Sequence, residues 1–167
     1  VLTLSADNTL VLKCDIDAAY AVHRDMKSQT GGVMTMGEGA AIAASLKQKI
    51  NTKSSTEAEL VAVDDLMGPI LWTNYFLDAQ GYDCKDTVVY QDNKSAILLE
   101  KNGRQSSGKR TKHINVRYFF ITDRVNNNEI SIMYRPTDEM VADFFTKPLQ
   151  GQKFTKFRNQ ILNIKSK

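Results

Sequence analysis

Asp15, Glu59, Asp92 and Asp143 are the residues of this chain whose types and settings point most directly to chemistry. Asp15 lies in the apolar run Leu10-Val11-Leu12-Lys13-Cys14-Asp15-Ile16, and Asp92 follows Thr87-Val88-Val89-Tyr90-Gln91. Glu59 stands at the opening of a long helical pattern, and Asp143 inside a short helical segment near the C-terminus. Four carboxylates gathered at one place repel each other unless cations join them. Hard oxygen donors without a cage of His or Cys suit Mg²⁺. Two such ions on a shared carboxylate cluster make a centre that cleaves phosphodiesters.

Each acid also has a plainer reading. Asp15 and Asp17 are two apart, so a strand turns both to one sheet face, and either could be a solvated acid at a strand end. Thr56-x-x-Glu59 has the form of a capping box, and so has Ser54-x-x-Glu57. If Ser54 is the cap, Glu57 closes the box and Glu59 is free to face a site. Asp92 could cap the helix that follows it, although the carboxyl end of a strand is also where α/β sheets place their sites. Asp143 sits beside Met140 and Phe144, at the edge of an apolar face.

These acids meet only if the intervening elements fold in a particular order. The first 50 residues read as three main strands joined by turns, most simply antiparallel, with Gly31–Met36 and Ala40–Leu46 as a hairpin. Leu2–Ser5 reads as a short leading strand. The period then becomes helical through Leu60, Val63, Met67, Ile70 and Leu71. Gly68-Pro69 is expected to kink or divide this helix, and Gly81 to end it. A strand (87–91), a helix (93–101), a basic loop (102–110), a helix (111–124), a strand (129–134) and a short helix (137–146) follow. The expected fold is α/β: a mixed five-stranded sheet, three antiparallel strands then two parallel ones, flanked by helices. Phe154, Phe157, Ile161 and Leu162 recur at helical spacing, so residues 150–167 read as a basic amphipathic tail packing on a domain of residues 1–149.

Apolar content of 42% and charged content of 25% are those of an ordinary globular chain. No apolar run approaches the roughly 20 residues a membrane helix needs, so no membrane partner is expected. Two cysteines make no disulfide framework, and a reducing compartment fits. The first residue is Val1 rather than Met, which suits a piece of something longer. The net charge of +3 hides an asymmetry: residues 1–100 hold 8 Lys/Arg against 14 Asp/Glu, and residues 101–124 hold 7 against 1. Residues 144–167 hold 6 basic residues and no acid. An acidic half beside two basic runs points to a metal centre next to a surface for polyanions. Ser54, Ser55 and Thr56, at a helix N-terminus, also favour phosphate.

Six segments, in order and over nearly the whole chain, resemble the ribonuclease H domain of copia-type (pseudovirus) retrotransposon polyproteins. They are Cys14–Ala18, Lys27–Gly32, Ser54–Glu59, Tyr90–Ala96, Arg110–Ile114 and Ala142–Leu149. The resemblance implies a ribonuclease H fold and a hydrolase that cuts the RNA strand of RNA–DNA hybrids during reverse transcription. It implies Asp15, Glu59, Asp92 and Asp143 as catalytic metal ligands for two Mg²⁺ ions, with Mn²⁺ able to substitute. Asp15 would bridge the two ions, one shared with Asp143 and the other with Glu59 and Asp92. Ser54, Ser55, Thr56, Asn93, Lys109, Arg110, Lys112 and His113 would contact nucleic acid. Some relatives carry a mobile His before the last catalytic Asp; here Tyr134–Glu139 has none, and Glu139 is the candidate auxiliary group. The implied partners are the hybrid and the upstream reverse transcriptase domain of the same polyprotein, and the implied location is a cytoplasmic virus-like particle. The alternative is a catalytically weak tether that binds nucleic acid inside a reverse transcriptase.

Overall fold

The structure, a computed structural model, describes residues 1–84, 86–102 and 112–165. The elements in chain order are β1 (Ser5–Ala6), β2 (Val11–Ala19), β3 (Gln29–Thr35), β4 (Gly37–Glu38), β5 (Ile42–Lys47), α1 (Ser55–Ala79), β6 (Asp86–Gln91), α2 (Lys94–Asn102), α3 (Lys112–Asn126), β7 (Ser131–Tyr134), a 3-10 turn (Thr137–Glu139), α4 (Asp143–Thr146) and α5 (Gly151–Leu162). Five strands form the main sheet in the order β5-β3-β2-β6-β7. β2 pairs antiparallel with β3, and β3 with β5; β6 runs parallel to β2, and β7 to β6. The expected mixed sheet is therefore present, with β2 as the strand where the antiparallel half meets the parallel half.

Alternation along β2 builds the two layers. Leu12, Cys14, Ile16 and Ala18 face one side, where they pack with Leu60, Val63, Met67 and Ile70 of α1 and with Ile97 and Ile121 of α2 and α3. Full burial of one such aliphatic side chain is worth roughly 1.5–3 kcal/mol. From Glu57 to Val63 every residue of α1 is buried, because the helix is wedged between the sheet and its neighbours. The opposite sheet face carries Asp15 and Asp17. A smaller cluster covers it: Val33, Ala40 and Ile161, with Val141, Phe144, Phe145 and Leu162.

Three local expectations are corrected. Gly68-Pro69 does not divide α1, which runs unbroken through Pro69. Both residues are exposed, so the turn that loses a backbone bond at proline lies on the solvent side of the helix. The leading strand is only Ser5–Ala6 and pairs with β4 in a separate two-stranded sheet, outside the main one. The helix expected at 137–146 is two pieces, because Met140 is extended (φ −73°, ψ 96°) and its side chain and that of Ala142 are fully buried. That break makes Asp143 the first residue of α4.

Candidate metal centre

Local capping decides which acids are free. Ser54 Oγ accepts the Glu57 N–H at 3.1 Å, and Glu57 Oε2 accepts the Lys53 N–H at 2.7 Å. The α1 N-terminus is thus closed by Ser54 and Glu57, and Glu59 is left to face the sheet. At α2 the cap is Asn93, whose Oδ1 accepts the N–H groups of Ser95 (3.0 Å) and Ala96 (3.1 Å). Asp92 is spared that task and accepts the Thr137 hydroxyl at 2.7 Å. Ser54 and Asn93, expected to contact nucleic acid, each turn a side-chain oxygen to backbone N–H groups of the helix they cap, which leaves that expectation open.

Asp17, Glu59 and Asp92 each bring a carboxylate oxygen to one place, all within 4.8 Å of one another. The position expected for Asp15 is thus held by Asp17. Asp15 lies on the same face of β2, but its carboxylate is ion-paired with Arg135, whose guanidinium also stacks 3.5 Å from the centre of the Tyr90 ring. The reason is longitudinal. Asp17 is opposite Gly31 in the β2–β3 register, and a Cβ at Gly31 would stand 2.5 Å from Thr146 Cγ2 and 2.9 Å from the Ala142 carbonyl oxygen. The bare backbone of Gly31 lets α4 settle on the sheet beside Asp17. Asp15, one pleat further back, is opposite Val33 and opens into a cleft of about 950 Å³ beside α5.

Asp143 joins the group through lysines. Lys147 Nζ stands 2.5 Å from Asp143 Oδ1 and 3.3 Å from Asp17 Oδ1. Lys153 Nζ, from α5, stands 2.8 Å from Asp143 Oδ2 and 3.2 Å from the Thr137 carbonyl. The Thr146 hydroxyl donates to Asp17. Thr137, Thr146, Lys147 and Lys153 escaped the sequence reading. The signal available was Thr146-Lys147 at three and four residues after Asp143, one helical turn away. Glu139 is exposed on the same 3-10 turn as Thr137. Lys109 and Arg110 lie outside the described residues, as do the side chains of Lys112 and His113.

The electrostatics are those of acids crowded in a dry place. Burial, then the charges of Asp17 and Asp92, pushes the Glu59 carboxyl well above the usual range, against the opposing pull of the Ala18 N–H and Lys147. Burial raises Asp17 too; Lys147 and Thr146 oppose this, and Asp143 and Asp92 reinforce it. Asp15 is raised by burial alone, with Arg135 opposing. Lys147 is raised, because Asp143 and Asp17 outweigh the burial that acts against its charge. Among the described residues, Glu59 Oε2 is a buried oxygen without a hydrogen-bond partner. A converging set of hard oxygen donors with one left unpaired is what a divalent cation fits. Behind the centre, the buried Gln91 amide stands between the Glu59 carbonyl and the Glu100 carboxyl. In one orientation Nε2 donates to Glu59 at 3.4 Å, and in the other to Glu100 at 3.1 and 3.2 Å.

No family model matches the chain. It is 38% identical over 145 residues to the retrovirus-related Pol polyprotein from transposon TNT 1-94 of Nicotiana tabacum, a match covering 86% of this chain and 11% of that protein. It is 33% identical over 164 residues to the corresponding polyprotein from transposon RE2 of Arabidopsis thaliana, covering 97% of this chain and again 11% of the relative. The chain thus spans about a tenth of the length of these polyproteins. Among solved structures it is similar to LC11-RNase H1, isolated from compost by a metagenomic approach (TM-score 0.56, 11% identity, 81% of this chain and 90% of that one). It is also similar to the same enzyme in complex with an RNA/DNA hybrid (TM-score 0.52, 12% identity, 78% of this chain and 87% of that one). Over most of its length, then, the chain is homologous to one segment of the retrovirus-related Pol polyproteins of copia-type transposons, folded as a ribonuclease H.

Proposed function

We propose that the chain hydrolyses the RNA strand of RNA–DNA hybrids, as the ribonuclease H of a retrotransposon's reverse transcription. The observation that carries this reading is the convergence of Asp17, Glu59 and Asp92, with Asp143 tied to them through Lys147, on a ribonuclease H fold. Asp17, in place of Asp15, would hold divalent cations together with Glu59, Asp92 and Asp143, two ions of Mg²⁺ in the cell with Mn²⁺ able to substitute. The chemistry such cations would supply there is activation of a water and neutralisation of charge on the leaving 3′ oxygen.

The chain's own residues position and hold charge. The Ser54–Glu57 cap fixes the first turn of α1 and aims Glu59 at β2. Asn93 frees Asp92, and the Thr137 hydroxyl orients it. Asp17, Glu59 and Asp143 are buried and Asp92 is half-buried, so cations would be held more strongly than on an open surface. Ser54, Ser55 and Thr56, at the start of α1, are proposed to contact the nucleic acid, as are Asn93, Lys109, Arg110, Lys112 and His113. Contacts to backbone phosphate would add affinity without reading base sequence. The reverse transcriptase portion of the same polyprotein is the proposed covalent partner.

The test is cleavage of labelled RNA–DNA hybrid, RNA duplex and DNA duplex, each with Mg²⁺ or with chelator. Mg²⁺-dependent cutting confined to the RNA strand of the hybrid is expected. Cutting of duplex DNA, or cutting in chelator, sinks the proposal.

A further inference from the structure

Asp143 is fully buried, yet both of its oxygens are engaged by ammonium groups, Lys147 on Oδ1 and Lys153 on Oδ2. The two lysines come from different places. Lys147 follows α4 directly, while Lys153 reaches in from the first turn of α5 and is anchored there by the Thr137 carbonyl. At the other end of the group, Glu59 keeps a buried oxygen without a partner. The centre is therefore lopsided: Asp143 is compensated on both oxygens and Asp17 on one by the chain's own cations, while the Glu59 end is open.

Resting on the metal reading above, we infer that Lys147 and Lys153 are resident counter-ions that make divalent cations enter in order. The first enters at Asp17, Glu59 and Asp92; the second reaches Asp143 only by displacing the two ammonium groups. Charge balance supports the order. Fully ionised, as cation ligands must be, the four carboxylates carry four negative charges. The two lysines offset half of these, and one divalent cation at the open end offsets the rest. A second divalent cation added with both lysines in place would leave a surplus of two positive charges in a buried site, which is unfavourable. The lysine side chains are about one-third exposed, 38% for Lys147 and 31% for Lys153, so both have solvent to move into. The C-terminal helix α5 thereby sets the metal affinity of a centre to which it contributes no carboxylate.

The experiment is Mn²⁺ titration of the whole chain at neutral pH, with free Mn²⁺ read by electron paramagnetic resonance. Wild type is expected to bind one ion, and a second at least about tenfold more weakly. Lys153→Met and Lys147→Met should each tighten the second ion several-fold. The double variant should tighten it about tenfold or more; Lys153→Met, whose ammonium pairs only with Asp143 among these acids, should leave the first within about twofold, whereas Lys147→Met should tighten the first as well, because its ammonium also stands 3.3 Å from Asp17 Oδ1. Lys47→Met, which removes an exposed ammonium paired with Asp25, controls for net charge. A second-ion affinity in the double variant equal to wild type overturns the inference and leaves the metal centre standing. Wild type that binds no Mn²⁺ overturns the metal centre itself, and the inference with it. Thermal melts give a second readout. In chelator the variants should melt lower than wild type, and Mn²⁺ should raise their melting temperature by more than it raises that of wild type. Lys153→Gln serves for both measurements if the double variant does not fold in chelator.

Discussion

Asp15 and Asp17 share one face of β2, two residues apart, and their carboxylates end in different company: Asp15 with Arg135, Asp17 with Thr146, Lys147 and the oxygens of Glu59 and Asp92. Asp17→Asn should therefore lower hybrid cleavage by on the order of a hundredfold or more with the fold intact. Asp15→Asn should keep cleavage within a few-fold of wild type. It should cost about 1–3 kcal/mol of stability, because Arg135 is left half-buried without its partner charge. Parallel rate measurements and urea melts decide; inactive Asp15→Asn with active Asp17→Asn would reverse the assignment.

Glu57 and Glu59 form a second pair with divided tasks. Glu59→Gln removes a charge from the carboxylate group and should abolish cleavage. Glu57→Gln weakens only the bond to the Lys53 N–H and should cost about 1 kcal/mol or less, with the rate at saturating hybrid little changed. Loss of cleavage in Glu57→Gln, at temperatures where it remains folded, would contradict this division.

Glu100 offers a test by pH. Burial pushes its carboxyl from 4.5 up to about 8, opposed by Gln91 and Lys101. Its folded-state pKa is the higher one, so the folded chain holds the proton where the unfolded chain has lost it. This group's contribution to stability is full below about pH 4.5 and drains away as pH rises to about 8. Glu100→Gln should remove that slope. The difference between wild-type and variant unfolding free energies, measured at intervals between pH 5 and 9, should rise in the variant's favour with pH. A flat difference would mean that Glu100 is already ionised at pH 5.

Gly31 and Gly32 separate the two sheet faces. A methyl at Gly31 meets Thr146 and the Ala142 backbone, whereas one at Gly32 meets the side chain of Leu66 on α1. Both Gly31→Ala and Gly32→Ala should destabilise, by roughly 1–3 kcal/mol. Only Gly31→Ala should also weaken cleavage beyond its loss of folded protein, because it lifts α4 and Asp143 from Asp17. Equal losses of specific activity in the two folded variants would count against this role for α4.

Much of this was legible in the chain itself. The sheet could be read because short strands joined by turns give way to strands separated by helices, which forces antiparallel pairing first and parallel pairing later. Glu59 could be read because Ser54 and Glu57 form a capping box that leaves it free; Asp92 could be read from its place at the carboxyl end of a strand, but that Asn93 rather than Asp92 caps α2 emerges only from the structure. The choice between Asp15 and Asp17 could not. Period-two alternation puts both on one face, and only the β2–β3 register, with Gly31 opposite Asp17, says which of them α4 reaches. The lysines on Asp143 were hidden for a related reason. Lys153 is ten residues away along the chain and meets Asp143 only because the chain leaves α4 after Thr146 and returns through α5. Pro69 shows the opposite limit, since a strong local breaker is overridden where it lies on the solvent side of the helix.

The carboxylates come from β2, α1, the end of β6 and the start of α4, so no local stretch of chain holds more than a fragment of the group. Until β6 has docked beside β2 and α4 has settled over Gly31, there is nothing for a cation to grip. Divalent metal should therefore act as a latch that closes after assembly, with no part in nucleating it. Added to a refolding chain, it should leave the folding rate nearly unchanged and slow unfolding instead, as interactions absent from the transition state do. Stopped-flow measurements with Mg²⁺ and with chelator would show this as a shift in the unfolding arm alone. In a cell, the same late closure would withhold strand-cutting capacity from every partly folded form of the chain.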